Sequence, residues 1–133
     1  MWSYKLFRIG ALVSALNGIL HLFGHFAGKE AKPVNSVAFQ LHELMYRYKE
    51  NYMGTMRTQG DFFDGMSLSY SVFMLTLAAL GFTLRVERKP AIIIAAALAA
   101  LLAISLTYWF VMPTVFLAAG MLCYAGSAYL EKK

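Results

Sequence analysis

The stretch AIIIAAALAALLAISLTYWFVMPTVFLAAGMLCYAGSAYL, residues 91–130, carries no charged side chain at any of its forty positions. At 1.5 Å per residue, one helix of that length would run about 60 Å, twice the roughly 30 Å of hydrocarbon in a bilayer. The stretch therefore predicts two crossings with a reversal near Phe110 to Pro113, where Pro113 suits the first turn of a following helix. Tyr108 and Trp109, beside the reversal, fit the aromatic belt of a membrane surface.

Two further apolar stretches of spanning length precede this one. The expected spans are about 7–27, 62–84, 90–108 and 113–130, so the fold class is all-α: a four-helix transmembrane bundle forming one domain over residues 1–133. Composition points the same way, since 59% of the 133 residues are hydrophobic and 14% are charged, with a mean hydropathy of +0.55. A soluble domain carries about 25% charged residues. Cys123 is the only cysteine, which removes a disulfide scaffold. The chain has no Rossmann, P-loop, nucleophile-elbow or nucleic-acid-binding motif, and its net charge of +5 points to lipid headgroups and topology rather than to nucleic acid. The first apolar stretch follows Lys5 and Arg8, as in a signal peptide, but Asn17, His21 and His25 interrupt it, so it reads as a retained span.

Charge placement predicts direction. With both termini cytoplasmic, the inner face holds seven basic and two acidic residues, whereas the segment between the first two spans holds five of each. The whole positive excess then lies inside, as expected for a bacterial inner-membrane protein. In that outer segment, Val34, Val37, Ala38, Leu41, Leu44, Met45, Tyr48 and Tyr52 recur at helical spacing. They predict an amphipathic helix over about 34–52, opened by Pro33 and closed by Asn51 to Gly54, lying over the bundle end or in the headgroup layer.

Gly10, Ser14, Asn17, Gly18, His21, Gly24, His25 and Gly28 share one face of the first helix. A stripe of small and polar residues faces protein rather than lipid. His21 and His25 stack one turn apart near its outer end. The second helix begins at the same level with Asp61 and Asp64, and Thr76, Ala79 and Thr83 are expected to continue their face. The candidate binding set is Asn17, His21, His25, His42, Arg57, Asp61 and Asp64.

Three readings fit these residues. One is a hydrogen-bonded cluster that fixes helix register, with Asp61 as an N-cap. Another is a metal centre with His21, His25, Asp61 and Asp64 as ligands to Zn, Fe or Mn. The last is a pocket for a polar lipid or quinone headgroup, with His as proton carrier and Asp as its orienting base. Haem is disfavoured, because two histidines on one side of one helix cannot approach opposite faces of the ring. No complete catalytic motif is present, although an intramembrane isomerase or hydrolase using His21 with Asp64 is an alternative. A different class is an accessory subunit of a larger membrane complex, or a homo-oligomer, docking through Ala95, Ala96, Ala99, Ala100 and Ala103 of the third span. In either case membrane lipids are partners.

Four motifs carry a resemblance: Arg8-Ile9-Gly10; Gly18-x-x-His21-x-x-Gly24-His25; Met53-Gly54-x-x-Arg57-x-x-x-Asp61-Phe62-x-x-Gly65; and Phe110-x-x-Pro113-x-x-Phe116. Together they resemble a family of small bacterial four-span membrane proteins of unknown function and, more distantly and by architecture alone, DoxX-like four-helix proteins. The first resemblance draws attention to His21, Arg57, Asp61 and Gly65 and implies no activity.

Overall fold

The computed structural model describes residues 2–31, 33–108 and 111–131. Its elements are α1 (Trp2–Glu30), α2 (Ser36–Arg47), the strands β1 (Lys49–Tyr52) and β2 (Thr55–Thr58), α3 (Gln59–Thr83), α4 (Arg88–Tyr108) and α5 (Val111–Leu130). Helices α1, α3, α4 and α5 are each long and apolar enough to cross a membrane, and the fold is an all-α bundle. The expected reversal falls between α4 and α5. Trp109 and Phe110 lie outside the described residues, while Pro113 sits in the first turn of α5. Ser105 and Thr114 join the two helices by a hydroxyl hydrogen bond of 2.6 Å.

Close packing pairs α1 with α3, α1 with α5, and α4 with α5, so α1 lies between α3 and α5. Phe7, Tyr70, Met74, Leu77, Leu98, Leu117 and Tyr124 form the centre of the core. Leu12, Phe23, Val72, Ile93 and Leu122 remain exposed, as lipid-facing side chains of a bundle are. Ser127 Oγ donates to the Ser3 carbonyl at 2.9 Å, which places the start of α1 and the end of α5 at the same end of the molecule.

The segment between α1 and α3 differs from the expected single helix over 34–52. Asn35 caps α2 by accepting from the Ala38 amide at 2.8 Å, and the helix stops at Arg47. An antiparallel hairpin follows, pairing Lys49 with Thr58 and Tyr52 with Thr55. Met53 and Gly54 both have positive φ, 51° and 89°, as a two-residue type I′ turn requires. Asn51 Oδ1 fastens the turn by accepting from the Gly54 amide at 2.8 Å. The hairpin ends at Thr58, which opens α3 through a capping box: the Thr58 side chain accepts from the Asp61 amide, and the Asp61 carboxylate accepts from the Thr58 amide, each at 3.0 Å. Asp61 is thus the reciprocal member of the box, and Thr58 is the N-cap.

Candidate functional site

The stripe on α1 is buried at Gly10, Ser14, Asn17 and Gly18. Beyond His21 it opens, and a side chain added at Gly24 or Gly28 would meet nothing within 4 Å. The face that α3 turns inward is Gly60, Tyr70, Ser71, Met74, Leu77, Ala78 and Gly81. Thr76, Ala79 and Thr83 are exposed, as is Asp61. Thr76 and Thr83 each donate to the carbonyl four residues earlier at 2.8 Å. Their hydroxyls therefore need no neighbouring helix.

Four polar contacts join successive turns of α1 to α3. Asn17 Nδ2 donates to the Tyr70 hydroxyl at 2.7 Å, and His21 Nε2 meets Ser67 Oγ at 3.0 Å with its ring edge-on to Tyr70. One turn further, His25 Nδ1 lies 3.9 Å from Asp64 Oδ1, within ion-pair range but too long for a hydrogen bond. Lys29, the next residue of this four-residue series, bonds the other carboxylate oxygen of Asp64 at 2.7 Å. From α2, the Tyr46 hydroxyl donates to Asp64 at 3.3 Å. Burial, then the nearby Asp64 carboxylate, pushes the Tyr46 phenol above its usual value, so it remains a donor below about pH 10. Tyr46 reaches this position because Gly60 is beneath its ring, where a Cβ would collide with it.

The metal set is not brought together. Asp61 is turned into the capping box, His21 is directed to Ser67, and among the described residues no three His, Cys, Asp or Glu side chains form a group able to hold an ion. His42 is exposed on α2 and packs against Tyr46 at a ring separation of 4.7 Å. Arg57 lies on β2, bordering an open groove of about 1040 Å³ with Asp61, Asp64 and Lys29. The expected set therefore divides in two. Asn17, His21 and His25 line a separate, half-open cavity of about 300 Å³ with Ser67, bordered also by Leu20, Gly24 and the first turns of α5 at Met112, Pro113 and Phe116.

Lys29, Tyr46, Ser67 and Tyr70 belong to this site and are absent from the expected set. Lys29 continues the His21, His25 spacing, and Ser67 and Tyr70 follow Asp64 by one and two turns, so periodicity carried a signal for three of the four. His25 also carries an unmet polar atom. Its side chain is only 5% exposed, and its Nε2 is buried without a hydrogen-bond partner. A buried polar atom of this kind costs roughly 1–3 kcal/mol if left unmet.

Fold and site define a small all-α integral membrane protein with four spanning helices and a cavity at one end, polar on its α1 and α3 walls and apolar toward α5. No protein-family model, curated protein or solved structure matches the chain.

Proposed function

We propose that the protein is a membrane binding protein that holds the polar head of a lipid or quinone in the Asn17, His21, His25 and Ser67 cavity. The carrying observation is a pocket of about 300 Å³ lined by the polar residues Asn17, His21, His25 and Ser67 among apolar neighbours, at the small end of the usual range for ligand sites. Polar groups on one wall and Leu20, Met112 and Phe116 on the other suit an amphipathic molecule that enters from the bilayer. The charge distribution supports a reading with both termini in the cytoplasm of a bacterial cell and, with them, the cavity near the outer leaflet of the inner membrane.

Gly24 gives a direct test, because it lines the cavity and a side chain there enters open space. Protein purified in mild detergent is expected to retain a lipid or quinone in near-stoichiometric amount, detected by organic extraction and mass spectrometry. Gly24→Leu is expected to lose at least nine-tenths of it while unfolding no earlier than the wild type, since leucine also favours helix over glycine by about 0.8 kcal/mol. Wild-type protein without such a molecule, or a leucine variant that keeps it, would sink the proposal.

A second reading, an accessory subunit or homo-oligomer, is favoured by α4. This helix packs mainly on α5 and leaves Ala96, Ala99, Ala100 and Ala103 exposed, a small-residue surface on which another helix can approach closely. Under this reading, Ala100→Leu disperses a complex that mild-detergent sedimentation detects for the wild type. A wild-type monomer in native lipid discs would count against it.

A further inference from the structure

A separate groove of about 500 Å³ lies between α4 and α5, lined by Ile92, Ala96 and Ala99 of α4 and by Met121 and Ala125 of α5. Alanine at three of these positions leaves a furrow where larger side chains would fill the seam between packed helices. Arg88, the first residue of α4, is the one charged residue among those that line it. The two helices turn back on each other beside Ser105 and Thr114, so the start of α4 and the end of α5 share the end of the bundle that holds Ser3.

Length and charge together select an occupant. From Arg88 to Ala99 the helix rises about 16 Å, half of the roughly 30 Å of hydrocarbon in a bilayer, so the groove runs one leaflet deep from the surface inward. A helix of another protein would cross the whole bilayer, twice that depth, whereas one acyl chain matches it. The surface end of the groove carries positive charge without a counter-charge. Among the described residues no carboxylate lies within ion-pair distance of Arg88. Lys89 follows it, and the first turn of α4 contains no acidic residue, although a helix N-terminus favours negative charge. Only two acids stand against seven basic residues at this end, and one of them, Glu131, accepts from the Ser3 hydroxyl.

We infer that this groove binds one anionic phospholipid from the leaflet on the side of the termini. Its phosphate pairs with Arg88, and one acyl chain lies along Ile92, Ala96 and Ala99. The planar guanidinium of arginine suits phosphate oxygens, which it can meet with two parallel hydrogen bonds. Basic pockets between spanning helices recognise anionic headgroups in this way. The groove is separate from the cavity of Asn17, His21, His25 and Ser67, and its occupancy does not depend on what that cavity holds.

The test titrates delipidated protein in one detergent with dioleoylphosphatidylglycerol or dioleoylphosphatidylcholine, which share their chains and differ in net charge, and counts bound copies by native mass spectrometry. The first copy of the phosphatidylglycerol is expected to bind at least about fivefold more tightly than that of the phosphatidylcholine. Arg88→Gln is expected to remove this preference, whereas Lys89→Gln, which alters a neighbouring cation that does not line the groove, is expected to keep it. Ala99 is exposed, so Ala99→Leu is expected to weaken both lipids severalfold without earlier unfolding. Gly24→Leu, in the other cavity, is expected to leave both affinities unchanged. Equal affinity of the wild type for the two lipids, or an equal loss in Arg88→Gln and Lys89→Gln, overturns the proposal in favour of diffuse surface charge. Unchanged lipid binding in Ala99→Leu overturns the seating of the chain, and if that variant also disperses a wild-type dimer, the groove belongs to a second copy of this chain.

Discussion

Gly81→Leu is expected to destabilise the protein by about 3 kcal/mol, the upper part of the range for overpacking a core, read as an earlier unfolding transition in mild detergent. Three helices converge at this position. A Cβ on Gly81 would lie 2.7 Å from the Ala11 Cβ of α1 and would run into the Tyr124 hydroxyl of α5. Neither neighbour can yield cheaply. Ala11 and Tyr124 are both fully buried, the Tyr124 ring also lies against Gly10, and its edge packs on Phe7 with centroids 5.0 Å apart and planes at 89°. Helix association in lipid depends on close van der Waals fit, because the apolar tails compete equally for apolar side chains. Gly24→Ala is the matched control in open space, expected to be neutral or slightly stabilising. If that change destabilised the protein as much as Gly81→Leu, the junction of α1, α3 and α5 would not be the source of the loss.

The four spans were legible because length and apolarity alone decide whether a helix can cross a bilayer, and the α4–α5 reversal followed from the same arithmetic. The inward face of α1 was legible as far as His21, where small and polar residues meet α3 and α5. On α3, Thr76 and Thr83 lie on an exposed face with Asp61, and their own backbone carbonyls satisfy their hydroxyls. The inward face instead follows small and apolar residues, Gly60, Ser71, Met74, Ala78 and Gly81. The hairpin was missed for a geometric reason. Tyr48 and Tyr52 are four residues apart, and positions four apart share a face in a strand as well as in a helix, so a helical pattern ran on into β1. The Asn51 and Gly54 that suggest a helix stop in fact build the turn. Of the site, the approach of His21 and His25 to the start of α3 followed from their spacing on α1. The separation of Asp61 from Asp64 did not, because it depends on which carboxylate the capping box takes. The Thr58-x-x-Asp61 spacing carried that information locally, whereas the pairing of Lys29 with Asp64 depends on the register of α1 against α3.

Arg8→Ala is expected to cost about 2 kcal/mol of stability, and its physical basis differs from the role that charge counting gives the residue. Charge counting sets Arg8 among the seven basic residues expected on the cytoplasmic side. In the folded chain its Nη1 also reaches from α1 to the last turn of α3, donating to the Gly81 carbonyl at 2.8 Å and to the Phe82 carbonyl. The final carbonyls of a helix have no partner within it and carry its negative dipole end, so a cation there satisfies two acceptors at once. Hydrogen bonds to a charged group contribute about 1.5–3 kcal/mol each when buried. The total falls short of two such bonds because the Phe82 contact is exposed and the guanidinium Nε is buried without a partner. Arg8→Lys separates the two roles. Lysine keeps the positive charge, but its ammonium is one bond shorter in reach, so its unfolding transition is expected between those of Arg8→Ala and the wild type. A lysine variant no more stable than the alanine variant would mean that charge near the α3 terminus contributes nothing. An alanine variant as stable as the wild type would mean that water replaces Arg8 at both carbonyls.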